Sequence, residues 1–224
     1  MQRERLSLPE EFSLLAVGQK SGEFKRRMFQ AVEFYTVASC MMELFYRGIL
    51  VEKDGKLMLV ESKKTGLKFL DVIIDVLSKE DKYKSLQHWL MNLSTREVGA
   101  RHHVTDHLVR KKLLKPVKRR VLYFLSVEGF VEAKPNVRKE ILEKMREKIL
   151  GSTSVDEQTL GLVLLMNQAG ILKHSFTKQE VSKIEDTIKR LRDRGTENIS
   201  LQLAKTINSA YKTLGATKWE SLGI

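Results

Sequence analysis

Apolar positions recur at helical spacing along almost the whole chain and switch to a period of two at only two places. Ser7 offers a capping hydroxyl, Pro9 falls in the first turn, and Glu10 and Glu11 lie at the positive dipole end, so a helix is predicted to start there. It should turn Phe12, Leu15 and Ala16 inward and stop near Gly18. A longer helix is predicted from Lys25 to Arg47, ended by Gly48. Its apolar residues, Met28, Ala31, Val32, Tyr35, Cys40 and Leu44 among them, cover more than one stripe, which predicts a central helix surrounded by others. Segments 49–53 and 56–60 flank Asp54-Gly55, the sequence signal of a tight hairpin.

Helical patterns follow at about 67–78, 84–93 and 95–112. A second hairpin is predicted over about 115–125, centred on Lys118-Arg119, where Val121, Tyr123 and Leu125 alternate with Leu122 and Phe124. Four further helices are predicted near 135–150, 156–171, 177–193 and 197–214. The chain has no internal repeat, low-complexity tract or long linker; Gly151-Ser152-Thr153-Ser154 is short enough for an interhelical loop. The expected fold is therefore mainly α: a single compact multi-helix domain over 6–214 with two small β-hairpins (about 49–60 and 115–125). A short arm over 1–5 precedes it and a tail over 215–224 follows, with Trp219 docking part of that tail.

Composition narrows the function classes. Hydrophobic residues at 42% and charged residues at 30% are globular values, and 224 residues are enough for a substantial core. The longest apolar run, Leu160 to Met166, falls short of the roughly 20 residues that a membrane span needs, so it reads as a buried helix. One cysteine, Cys40, excludes an internal disulfide; with no signal-peptide pattern at the start, the expectation is a cytoplasmic protein. The formal charge of +12 attracts polyanions: nucleic acid, anionic lipid headgroups or acidic proteins.

The densest basic stretch is 101–120. It holds Arg101, Arg110, Lys111, Lys112, Lys115, Lys118, Arg119 and Arg120, with His102, His103 and His107 beside them and Asp106 the one acid. A helix followed by a basic hairpin offers guanidinium forks and mobile ammonium groups to phosphates. The bland alternative is a solvated helix face with Leu108, Leu113 and Leu114 turned inward. The same stretch mimics a winged helix-turn-helix, but its helix lacks the Asn and Gln that read base edges. Phe24, Phe29, Phe34 and Tyr35 recur at helical spacing, the pattern of a core rather than of a base-stacking platform.

Chemistry-bearing constellations are few. His103 and His107 are four apart on one helix face, the spacing of zinc ligands, without a glutamate base or a third ligand. Glu10 with Glu11, and Asp71 with Asp75, have no partner nucleophile, so capping and solvation are their expected roles. Walker loop, nucleophile elbow and dinucleotide fingerprint are missing from the sequence. No enzyme, metal or cofactor is expected.

A set of short blocks in fixed order adds a family. These are Leu6-Ser7-Leu8-Pro9-Glu10-Glu11-Phe12, Glu43-Leu44-Phe45-Tyr46-Arg47-Gly48-Ile49-Leu50, and Thr65-Gly66-Leu67-Lys68-Phe69-Leu70-Asp71. Leu108-Val109-Arg110-Lys111-Lys112-Leu113-Leu114 and Val121-Leu122-Tyr123-Phe124 complete the set. In order and spacing, from about Leu6 to Leu191, they resemble the Golgi phosphoprotein 3 family, whose eukaryotic members read phosphatidylinositol 4-phosphate and which has bacterial relatives. The resemblance implies a headgroup pocket made by a tryptophan and an arginine on the long early helix and two arginines before the second hairpin. Those positions fall on Met28 (Arg27 with a one-residue slip), Val37, Val98 and Arg101; His103 stands where those members have another basic residue. One arginine of the pocket is kept, with Lys25, Arg26 and Arg27 in the neighbouring turn, which implies a cruder anion site. Only five residues precede Leu6, where eukaryotic members carry a longer arm, so the chain is similar to the bacterial branch.

The expected function is that of a non-enzymatic protein held peripherally on the cytoplasmic face of an anionic membrane. Lipid phosphate is expected at Arg101, Lys25, Arg26, Arg27 and His103, and the membrane surface at Lys115, Lys118, Arg119 and Arg120. Each basic side chain near such a surface is worth about 1 kcal/mol, so four or five suffice for reversible attachment. The second hairpin is the expected surface for any self-association. A nucleic-acid-binding regulator using 101–120 ranks second, and an interaction scaffold third.

Overall fold

The computed structural model describes residues 5–17, 26–80, 84–96, 98–122, 125–151, 155–194 and 198–220; within these, side chains are described except at 26–30, 118–122, 125–128, 135 and 216–220. The core is built around two helices, α1 (Leu8–Val17) and α2 (Arg26–Tyr46). The start of α1 is fixed by the Glu10 carboxylate, whose Oε2 accepts from the Ser7 backbone N–H at 2.9 Å and from Ser7 Oγ at 2.6 Å. Leu8 N–H donates to Glu43 Oε2 of α2 at 2.9 Å, which ties the two helices together. Phe12, Leu15 and Ala16 are buried as expected, and so are the acids Glu10 and Glu11.

The central position predicted for α2 is what the structure has. Of residues 31–45 every side chain except Glu33 is buried, including Val32 and Cys40. Helices α3 (Lys68–Lys79), α4 (Leu86–Thr95), α5 (Ala100–Arg110), α7 (Glu157–Gln168) and α10 (Ile199–Glu220) pack around it with α1. Phe34 and Tyr35 close on Tyr211 of α10, with ring centroids 5.1 and 5.0 Å away, as core residues. The remaining helical elements are α6 (Pro135–Arg146), the short α8 (Leu172–Ser175) and α9 (Lys178–Asp193), which opens on a Thr177/Glu180 capping box.

Strands β1 (Leu50–Lys53) and β2 (Lys56–Leu59) pair antiparallel about Asp54-Gly55, both of which have positive φ (52° and 71°) as the tight turn demands. The second hairpin is longer than its expected span of 115–125, and its reversal is displaced. Strand β3 (Leu114–Leu122) pairs with β4 (Leu125–Glu132) in antiparallel register, from Leu114 opposite Glu132 to Leu122 opposite Leu125. The turn is not at Lys118-Arg119, because neither residue favours the left-handed backbone of a tight turn and both continue the strand. The alternation continues through Val127, Gly129 and Val131.

Three helix boundaries differ from expectation. The helix predicted over 95–112 begins later: α4 runs on to Thr95, and Gly99 takes φ +66° as the N-cap of α5. A left-handed residue cannot continue a right-handed helix, and glycine adopts it at least cost. Helix α6 passes at its end into a π-helical turn, Glu147–Gly151. The last helix runs to Glu220, beyond the expected start of a tail at 215. Among the described residues no helix is long and apolar enough to cross a membrane.

Candidate anion site at the start of helix α5

Gly99 sets the direction of α5, and Ala100 packs its first turn into the core with no exposure. Arg101 follows, half-buried. Beside it lies Glu33, the one residue of α2 between 31 and 45 that is not buried. The Glu33 carboxylate takes the Arg101 backbone N–H as well as the field of its guanidinium. Burial raises the Glu33 carboxyl above its ordinary value, although both contributions from Arg101 pull it down. Burial likewise lowers the Arg101 guanidinium, against the pull of Glu33. The two shifts agree in origin: each charge has lost water and the other returns part of the loss.

Glu33 is therefore the acid that meets Arg101. It was invisible to a local reading because it comes from another helix; its only sequence signal is a lone carboxylate in the otherwise apolar middle of α2. Glu97, the acid nearest to Arg101 in sequence, lies outside the described residues.

His103 is half-buried, with its Nε2 edge near Gly99. Burial is the main cause of its lowered pKa, and Lys68 at the start of α3 adds to it, as do His102 and Arg110. Lys68 on α3 and Arg110 on α5 thus bring positive charge towards His103, with Asp106 on α5 opposing it and Glu33 on α2 supplying the acid at Arg101. A helix start facing such surroundings can hold an anion through backbone N–H groups and charged donors together.

The other expected positions fare differently. Val37, where the resemblance places a pocket arginine, has no solvent exposure at all, and Val98 is half-buried against the core. Lys25 lies outside the described residues, as does the side chain of Met28. Arg26 and Arg27 open α2, about two helical turns or 10 Å before Glu33 along the axis. In the hairpin, Lys115 is exposed, and Lys118, Arg119 and Arg120 occupy β3 opposite Glu128, Val127 and Ser126. The acid opposite Lys118 was missed because the predicted hairpin ended at 125. The residues expected to touch the membrane surface thus sit on β3, the strand that follows α5, and not at the helix start that carries Arg101.

His103 and His107 do not converge. His107 Nε2 points to Glu10 Oε1 at 3.3 Å, and its ring meets Phe69 edge-on at 5.5 Å. Among the described residues no three metal-ligating side chains come together. Glu10 and Glu11 lie in the core edge, bound to Lys111 at 2.9 Å and Lys144 at 3.4 Å.

Comparison with known proteins agrees with the helical architecture and the block order. No curated protein matches the chain. The family model described as Golgi phosphoprotein 3 (GPP34) matches residues 8–210, from the first residue of α1 into the middle of α10. The chain belongs to the Golgi phosphoprotein 3 family.

Proposed function

We propose that the protein is a non-enzymatic peripheral membrane protein that holds anionic lipid headgroups at the start of α5. The observation that carries this reading is the half-buried Arg101 at a helix N-terminus, with His103 and Lys68 beside it. The net charge of +12 supplies long-range attraction to an anionic surface, and the hairpin residues Lys115, Lys118, Arg119 and Arg120 add to it. The departures at Met28, Val37 and Val98 make a phosphatidylinositol 4-phosphate pocket of the family type incomplete here, so the reading is for anionic headgroups as a class. Glu33 sets the threshold of the site: an incoming phosphate shares Arg101 with it.

Flotation with vesicles of neutral lipid, of neutral lipid plus phosphatidylserine, and of neutral lipid plus phosphatidylinositol 4-phosphate tests this. Binding is expected on both anionic compositions and should fall as salt rises, because surface attraction is screened within about 8 Å at physiological ionic strength. Arg101→Ala should weaken it by the worth of a charged hydrogen bond, roughly 1–3 kcal/mol. Reversing Lys118, Arg119 and Arg120 to glutamate should remove most of it. Equal retention on neutral vesicles, or release by competing duplex DNA at equal phosphate concentration, would overturn the reading; the second result would favour a nucleic-acid partner.

A further inference from the structure

At the other end of α5 the molecule has a groove of about 700 Å3, open to solvent and unrelated to Arg101. That volume is within the range of small-molecule pockets, roughly 300–1,000 Å3. One wall is the face of α6 that repeats at Val137, Ile141, Lys144 and Lys148, ending in the π-helical turn. Such turns break the regular ladder and are frequent at functional sites. The opposite wall is Leu6 and Leu113.

Charge is arranged unevenly within it. Three carboxylates line the groove, and each is engaged: Glu11 by Lys144 at 3.4 Å, Asp156 by Arg5 at 3.4 Å, and Glu140 by a partner of its own. Two of the lining cations have no ion-pair partner among the described residues. Lys134, at the N-terminal end of α6, is exposed, and water can satisfy its ammonium group. Lys148, in the π-helical turn, is half-buried among the lining residues of the groove. An ammonium group with no carboxylate of its own, beside a second lysine one turn away, favours an anion there. From Val137 to Lys148 the wall is roughly 16 Å long, with its apolar side chains between the two cationic ends.

We propose that this groove binds an amphiphilic organic anion, its phosphate or carboxylate head held by Lys144 and Lys148 and its apolar body lying along Leu6, Val137, Ile141 and Leu113. The two halves recognise different parts of one molecule, so neither an inorganic anion nor a neutral chain satisfies the site. This inference is independent of headgroup binding at Arg101, since the sites are separated by the length of α5.

Isothermal titration calorimetry of the full chain with dodecyl phosphate, kept below its critical micelle concentration, tests it. One molecule should bind per chain. Inorganic phosphate should bind at least about 100-fold more weakly, since it buries none of the apolar wall. Lys148→Gln should weaken dodecyl phosphate roughly ten-fold or more, the worth of a charged hydrogen bond, and Lys134→Gln by no more than about three-fold. Arg101→Ala should leave it unchanged. Thermal unfolding of each variant shows whether the fold is kept; if Lys148→Gln does not fold, competition by neutral dodecyl maltoside takes its place. Unchanged affinity in folded Lys148→Gln, tight binding of inorganic phosphate alone, or equal competition by the maltoside would each refute the proposal.

Discussion

Gly161, in the middle of α7, gives the sharpest test of how the core is packed. A Cβ built there would fall on the Tyr46 hydroxyl, closer than any real contact, and 3.0 Å from Met42 Cε. Tyr46 cannot yield freely. Its hydroxyl bonds with Ser200 Oγ at 2.7 Å and donates to the Glu157 carbonyl at 3.2 Å, joining the end of α2 to the starts of α7 and α10. In a bare helix, Gly→Ala is favourable by about 1 kcal/mol. Here the new methyl either overpacks the contact, at about 1–3 kcal/mol, or expels the hydroxyl and forfeits two hydrogen bonds, at about 2 kcal/mol together. The net expectation for Gly161→Ala is a loss of about 1 kcal/mol, and up to about 2 kcal/mol, read from urea unfolding followed by circular dichroism. Deleting the obstacle should reverse the sign: in the Tyr46→Phe background the nearest remaining ring atom is 3.3 Å away, and Gly161→Ala should be neutral or stabilising. The resulting coupling of about 2 kcal/mol is well above what independent sites show. Equal effects of Gly161→Ala in the two backgrounds would refute the reasoning.

Val32, buried on α2, should tolerate no charge: Val32→Asp is expected to cost about 3 kcal/mol or more, measured by urea unfolding, and a change within half a kcal/mol would contradict its burial. Glu33→Gln removes the acid that shares Arg101 and should strengthen retention on phosphatidylserine vesicles; weaker retention would mean that Glu33 positions Arg101 rather than competing for it. His107 has its pKa lowered by burial, with Lys111 and Arg110 adding to this and Glu10 opposing it. The unfolded chain therefore takes up this proton first, so the contribution of His107 to stability is complete above about pH 6.5 and is lost as pH falls below it. His107→Gln should flatten the urea midpoint against pH in that window; an unchanged slope would show that the imidazole does not titrate differently on unfolding.

Much of the fold was legible because its local signals agree with one another. The all-round apolar content of 28–44 announced a central helix, and Asp54-Gly55 fixed a hairpin whose register followed. The second hairpin was legible in kind but not in extent: Lys118-Arg119 has no turn chemistry, and the segment Ser126 to Glu132 that pairs with it was passed over. The sequence pattern places the break between α4 and α5 a few residues too early, because Gly99, which marks it, reads as a glycine tolerated inside the second helix. The site was legible only in part for a different reason. Arg101 and His103 are neighbours in sequence, whereas Glu33 and Lys68 reach them from two other helices, and no local pattern places them there.

The same limit explains the groove beyond α5, and it bears on how the two sites relate. Lys111, at the end of that helix, neutralises the buried Glu10 at 2.9 Å, while Glu10 also holds the Ser7 cap of α1. Burial alone would raise Glu10, yet its pKa is lowered, because the Ser7 and Lys111 contacts together outweigh desolvation. Glu11, the next residue, is raised by burial, which Lys144, Gln158 and Arg5 together do not offset. Adjacent carboxylates on one helix are thus driven apart by their partners. The tightly held one serves the fold. The loosely held one faces the groove, where its partner Lys144 is a third exposed and free to reach an incoming anion at little cost to α1. The basic surplus of the chain is consequently not uniform in meaning: Lys111 is committed to structure, whereas under the two proposals Arg101 and Lys144 would share a ligand's charge with the acids they already meet, and Lys148 would gain a first one.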